Sequence, residues 1–74
     1  MTIRFVSLSD VREFVGLATL QNYAVSVSDG AHTVNAKSFM EMFTMDFTPP
    51  LQVAVDGTEN EQSFAQIAKK FVVA

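Results

Sequence analysis

The chain has 74 residues, a mass of 8.1 kDa and no cysteine, so it fits one small domain and offers no disulfide, cysteine-bound metal or nucleophilic thiol. Apolar residues make up 49% of the chain and charged residues 18%, which favours a packed core over disorder. The formal net charge of −3 argues against nucleic-acid binding. The short apolar runs and residues 1–6, which lack the form of a signal peptide, predict a cytoplasmic protein with no membrane contact.

The first predicted elements are a short strand and a helix. Ile3 and Phe5 alternate with Arg4, which is typical of a strand. The string Ser7-Leu8-Ser9-Asp10 then offers residues that cap a helix N-terminus. Apolar residues at helical spacing predict a helix over about residues 10–20, with Gly16 as its weak point. These residues are Val11, Phe14, Val15 and Ala18.

The next segment has the pattern of a β-hairpin. Tyr23, Val25 and Val27 alternate with small residues and predict a second strand. Asp29 and Gly30 predict a two-residue turn of a primed type, because such a turn requires positive φ. The alternation resumes over residues 32–36, which we interpret as the returning strand.

The second half of the chain predicts a helix, a strand and a final helix. Residues 37–45 predict a short helix, and the string Ser38-Phe39-Met40-Glu41 has the form of a capping box. Two prolines precede a strand over residues 51–56. The string Thr58-Glu59-Asn60-Glu61 is a second capping box. The apolar stripe that follows predicts a last helix and consists of Phe64, Ile67, Ala68, Phe71 and Val72.

The element order β-α-β-β-α-β-α predicts an α+β domain, a mixed or antiparallel sheet with helices on one face.

That element order and several local strings resemble the HPr family, the histidine-containing phosphocarrier proteins of the bacterial sugar phosphotransferase system. Residues 29–40 are similar to the family's turn, third strand and regulatory serine, and Asn-Ala-Lys-Ser is the most specific string within them. Residues 44–47 and 57–61 and the pair Phe14-Val15 match by order and spacing. The resemblance covers nearly the whole chain. It implies an open-faced sandwich over residues 1–74, with four mainly antiparallel strands and three helices on one face.

The histidine that carries the phosphoryl group in this family has no counterpart here. The family places it in a loop just before the first helix, where residues 6–12 contain no histidine and no proline, and the loop is several residues shorter. Arg12 falls inside the predicted helix, so it is no clear match for the family's active-site arginine. The only histidine, His32, lies beside the predicted turn. Because phosphoryl transfer requires an exposed imidazole nucleophile, we expect a protein-binding or regulatory module that is not an enzyme and needs no cofactor or metal. The alternative is a phosphocarrier that uses His32 as an atypical acceptor.

Ser38 matches the serine that a dedicated kinase phosphorylates in Gram-positive members of the family. The resemblance therefore implies a regulatory phosphorylation site at Ser38. The alternative is that Ser38 only caps the second helix, with Glu41 completing the capping box. Glu41 stands where the family usually has glycine, and its carboxylate would repel a phosphate on Ser38.

Large apolar residues crowd the second helix and cannot all reach the core. The family's geometry implies that Phe39, Met40 and Phe43 point outward, where the family docks partner proteins, and that a second group faces the core. That second group is Met42, Met45 and Phe47. Exposed aromatic and methionine side chains are typical of protein interfaces. We therefore predict a contact patch for phosphotransferase-system or regulatory proteins. The alternatives are a partly covered core edge and a self-association surface.

Overall fold

The computed structural model describes residues 1–73. Its elements, in chain order, are β1 (Thr2–Ile3), α1 (Leu8–Thr19), β2 (Val25–Ser28), β3 (Thr33–Asn35), α2 (Phe39–Met42), β4 (Leu51–Val55) and α3 (Thr58–Ile67), followed by a 3₁₀ turn (Lys69–Phe71). The predicted order of strands and helices is confirmed. The chain has an α+β fold.

The strands form one antiparallel sheet in the order β1-β4-β2-β3. Alternate residues of the strands are buried, as in β2, where Val25 and Val27 face the core while Ser26 and Ser28 do not. This alternation leaves one face of the sheet open and packs the helices on the other, because side chains alternate across a strand. The result is an open-faced sandwich of four strands and three helices.

The core is centred on Phe14 of α1, which is fully buried. Its ring packs edge-to-face against Phe5, Phe64 and Phe71, at centroid distances of 5.3, 5.5 and 5.8 Å. Edge-to-face packing is favourable because the positive ring edge meets the negative face of its neighbour. These contacts join the segment after β1, α1, α3 and the 3₁₀ turn into one aromatic cluster.

Helix α1 begins two residues earlier than the apolar spacing predicts. Ser7 is the N-cap residue by backbone conformation, but its side chain makes no capping hydrogen bond. The Asp10 carboxylate instead accepts a hydrogen bond from the backbone N–H of Val6, at 2.8 Å. A carboxylate in the first turn also complements the positive end of the helix dipole, so Asp10 stabilises this N-terminus.

The hairpin turn is displaced by one residue from the predicted one. The Asp29 N–H donates to the His32 carbonyl at 3.1 Å, so Gly30 and Ala31 occupy the tip. Gly30 alone of the tip residues has positive φ, 96°. The Asp29 side chain explains the shift, because its carboxylate accepts hydrogen bonds from the Ala31 and His32 N–H groups and fixes the turn.

The capping box predicted at Thr58 is wrong. Gly57, with φ of 93°, is the N-cap of α3, and Thr58 is already helical. Asn60, in the first turn of α3, contacts the residue before this N-cap: its side-chain amide donates to the Asp56 carbonyl at 2.8 Å. The positive φ of Gly57 directs the chain from β4 into α3, and a side chain is strained at that angle.

The last helix is also shorter than its apolar stripe predicts. It ends at Ile67, the 3₁₀ turn carries Phe71 into the core, and Val72 is extended. Val72 forms a β-bridge with Ile3, and the Val73 N–H donates to the Thr2 carbonyl at 2.9 Å. Pairing with β1 therefore overrides the helical period at the end of the described chain.

Candidate functional site

The apolar residues of α2 divide between core and solvent. Met42 is fully buried, whereas Met40 is 78% exposed and Phe43 is 45% exposed. The predicted outward positions of Met40 and Phe43 are thus confirmed. Phe39 differs from its prediction, because it is half-buried and packs against the core while leaving part of its ring at the surface.

Phe39 and Phe43 form an aromatic pair that continues onto α1. Their rings lie edge-to-face, with centroids 4.5 Å apart. The guanidinium carbon of Arg12 lies 5.9 Å from the Phe39 centroid, within the range of a cation–π contact. We call this surface the α1–α2 patch; it consists of Arg12, Phe39, Met40 and Phe43. Leu8, which lies one helical turn before Arg12, is exposed and extends the apolar surface along α1.

Sequence patterns missed the contributions of Leu8 and Arg12 to this surface. Leu8 precedes the apolar stripe of α1, so nothing in the helical period assigned it a role. By sequence, Arg12 is no clear match for the active-site arginine of the HPr family, and the helical period assigns it no other role. The available signal was their spacing of four residues, which places both side chains on one side of α1. Only the contact between α1 and α2 shows that this side adjoins Phe39.

Ser38 caps α2 as predicted. Its hydroxyl oxygen accepts a hydrogen bond from the Glu41 N–H at 3.3 Å. The other half of the predicted capping box is absent among residues 1–73, because Glu41 Oε1 accepts from the Asn35 N–H at 3.2 Å and not from Ser38. The Ser38 N–H donates instead to the Asn35 carbonyl at 3.0 Å. Both backbone groups of Asn35, on edge strand β3, are therefore held by the start of α2.

His32 lies at the hairpin, outside α2. Its side chain is 68% exposed, and Nδ1 lies 3.6 Å from Asp29 Oδ2. The Asp29 side chain is only 5% exposed and accepts hydrogen bonds from three backbone N–H groups, those of His32, Ala31 and Asp46. These hydrogen bonds hold the pKa of Asp29 well below its ordinary value. The carboxylate thus joins the hairpin to the segment after α2, and it orients the His32 ring only weakly.

The N-terminus of α1 is where the resemblance to the HPr family would place a phosphoryl-carrying histidine. Here the segment between β1 and α1 holds no histidine, and the Asp10 carboxylate accepts a hydrogen bond from the Val6 N–H. A second anion at this helix end would meet that carboxylate and be repelled. The segment before α1 therefore offers no imidazole acceptor, and the Asp10 carboxylate opposes the binding of an anion at this helix end.

A shallow groove of about 500 Å³ lies along β2 and β3. It is lined by residues 22–26 and 33–35 and by Lys37, whose ammonium group donates to the Gln21 carbonyl at 2.8 Å. Tyr23, one of the lining residues, has a buried hydroxyl without a hydrogen-bond partner in the described part of the chain, and burial raises its pKa.

No group of three or more acidic or histidine side chains within residues 1–73 could hold a metal ion.

Comparison with protein families, with characterised proteins and with solved structures found no match. None of the helices over residues 1–73 has the length and apolar character needed to span a membrane.

Proposed function

We propose that this protein is an HPr-like member of the phosphotransferase-system family that lacks the phosphoryl-accepting histidine and binds another protein through the α1–α2 patch. The observation that carries the proposal is the exposure of Met40 and Phe43 next to Phe39, over whose ring Arg12 lies. Burial of such side chains contributes roughly 1.5–3 kcal/mol each. Methionine, aromatic residues and arginine are also the residue types enriched at the centres of protein interfaces.

A binding role fits the chemistry better than a carrier role. Phosphoryl transfer through the usual site would need an imidazole before α1, and that segment has none. A serine hydroxyl there could accept phosphate, but a phosphoserine is a stable ester and not a transferable phosphoramidate. The proposed partners are phosphotransferase-system or regulatory proteins, and the proposed location is the cytoplasm. Both proposals rest on the family resemblance.

The test is capture of a binding partner by the immobilised full chain from an extract of its source cells, with identification by mass spectrometry. We expect the Phe39→Ser, Phe43→Ser variant to lose the captured protein. Leu20→Ser is the matched control, because Leu20 is also a large exposed apolar residue but ends α1 outside the patch. If the double variant captures the partner as well as the unmodified protein does, the proposal is wrong.

Regulation at Ser38 is proposed as a second use of that side chain. Ser38 lies directly before Phe39, so a phosphate on it would add negative charge at the edge of the α1–α2 patch. Its hydroxyl is engaged with the Glu41 N–H, and Glu41 carries a like charge, so a kinase must displace this cap. Incubation with the kinase of a Gram-positive phosphotransferase system, with Ser38→Ala as control, tests the idea. Absence of a phosphoserine peptide leaves Ser38 with the capping role alone.

A phosphocarrier with His32 as acceptor is the second candidate function. The observation that favours it is the exposure of the imidazole, whose Nδ1 side faces the Asp29 carboxylate. The test is incubation with the general phosphotransferase enzyme and labelled phosphoenolpyruvate. Acid-labile label that disappears in His32→Gln would establish the carrier function. We expect no label, because the 3.6 Å contact is too long for a hydrogen bond to activate the ring.

A further inference from the structure

The α1–α2 patch carries Arg12 on one side and is bordered by Glu41 on the other, and we propose that it binds a second copy of this chain as a weak two-fold symmetric dimer. The inference rests on the proposed function, because it uses the same surface, and it goes further by naming the partner. Arg12 and Glu41 carry the argument, together with the apolar residues between them.

Helical geometry places the apolar residues of α2 around Met40. Successive residues of a helix are rotated by about 100°, so the burial of Met42 directs Met40 into solvent, in agreement with its 78% exposure. Phe39 and Phe43 lie together on one side of Met40, where their rings are 4.5 Å apart. Glu41 lies on the other side.

Contacts with neighbouring elements identify these two sides. On the aromatic side, Arg12 of α1 lies 5.9 Å from the Phe39 ring. On the other side, the Glu41 carboxylate reaches Asn35 of β3 at 3.2 Å. Across this surface, the Arg12 cation and the Glu41 anion therefore lie on opposite sides. The two aromatic rings and Met40 lie between them.

Both charges are available to a partner. Arg12 is exposed, and its guanidinium forms no hydrogen bond or ion pair with any residue from 1 to 73. Glu41 is exposed as well, and only its Oε1 is engaged, by the Asn35 N–H. Its second oxygen can accept hydrogen bonds from a guanidinium group, the geometry that arginine favours with carboxylates.

A surface with this arrangement is complementary to itself. A two-fold axis along α2, passing near Met40, superposes the apolar centres of two copies and places Arg12 of each copy against Glu41 of the other. An isologous contact repeats every interaction twice, so the dimer contains two such ion pairs around an apolar centre. A different protein would have to present the same alternation of charge, which a second copy presents by symmetry.

The size of the patch limits the strength of the dimer. A standard stable interface buries about 800 Å² on each partner, which is close to one fifth of the 4406 Å² surface of this chain. The four residues of the patch cover less than that. Interfaces below the standard size are typical of weak, transient contacts, so we expect the dimer to form only at high protein concentration.

Sedimentation of the full chain between about 10 µM and 2 mM tests the proposal. We expect the apparent mass to rise from 8.1 kDa towards twice that value as the concentration increases. R12E and E41R should each weaken association at least tenfold, because each reversal opposes like charges in both ion pairs. The R12E and E41R double variant should restore association. K69E is the matched control: it shifts the net charge as R12E does but lies outside the patch, in the 3₁₀ turn.

Each outcome decides the question. A wild-type chain that stays monomeric at 2 mM overturns the dimer, and so does a double variant as monomeric as the two single variants. A monomeric chain that still captures a different protein through Phe39 and Phe43 overturns the dimer but leaves the proposed function intact. Circular dichroism of every variant confirms that a change of mass does not reflect unfolding.

Discussion

The Glu41 carboxylate accepts a hydrogen bond from the backbone N–H of Asn35, at a distance of 3.2 Å between donor and acceptor. Asn35 belongs to β3, which forms one edge of the sheet. Free backbone groups on an edge strand are templates for pairing with another chain. Glu41 therefore links α2 to the sheet and covers part of this edge.

We predict that Glu41→Ala exposes the Asn35 amide and lowers the free energy of unfolding by about 0.5–1.5 kcal/mol, the net value of an ordinary hydrogen bond. Native-state hydrogen exchange at Asn35 should accelerate, while exchange of the buried Val27 amide should follow global stability only. Glu41→Gln is the control, because it retains an acceptor oxygen. Unchanged protection of Asn35 in Glu41→Ala would show that the hydrogen bond does not form in solution.

The N-cap of α2 gives a second prediction. Ser38→Ala removes the acceptor for the Glu41 N–H, and loss of such a cap costs about 1 kcal/mol. Ser38→Asp retains an acceptor and should unfold close to the wild-type midpoint, as measured by denaturant titration. Equal destabilisation by both variants would mean that the side-chain cap contributes nothing.

Two glycines should respond to alanine in opposite directions. Gly16 lies in α1 on the exposed side, and apart from its chain neighbours and the backbone of its own helix no atom lies within 4 Å of an added Cβ. Gly16→Ala should therefore raise the free energy of unfolding by about 0.5–1 kcal/mol, because alanine has the higher helix propensity.

Gly57 has φ of 93°, and its added Cβ would lie 3.0 Å from Asn60 Nδ2. Gly57→Ala should lower stability by about 1 kcal/mol or more. A stabilising Gly57→Ala would contradict the backbone conformation described for this turn.

Asp29 gives a prediction about pH. Its pKa is lower in the folded chain than in the unfolded chain, because the His32, Ala31 and Asp46 N–H groups stabilise the carboxylate. This contribution to stability is therefore complete above the unfolded pKa, near 4, and is lost as the pH falls through the folded pKa. Asp29→Asn should lower the melting temperature at pH 7.

The difference in melting temperature between Asp29→Asn and the wild type should shrink as the pH falls below about 4. Thermal unfolding followed by circular dichroism at pH 7, 4, 3 and 2 measures this. His32→Gln serves as the control, because the turn hydrogen bond comes from the His32 backbone and not from its ring. A difference that stays constant over this range would mean that the hydrogen bonds do not depend on the charge of Asp29.

The order of the elements and the residues that face the core follow from the sequence itself. The period-two alternation around Val25 and Val27 and the helical spacing around Phe14 are properties of neighbouring residues, and burial then selects the apolar side. The crowding of α2 predicts only that some of its large apolar side chains stay at the surface; the outward positions of Met40 and Phe43 are implied by the resemblance to the HPr family.

Only the tertiary structure decides which distant residues meet. Helical periodicity carries the last helix through Val72, yet pairing of Val72 with Ile3 takes that residue into an extended bridge. A capping pattern pairs Glu41 with Ser38, yet Asn35 of β3 lies within reach and takes the carboxylate. Arg12 becomes part of the α1–α2 patch because helix packing brings it over Phe39. Such contacts depend on how the elements pack in space, and the local propensities of a sequence do not specify that packing.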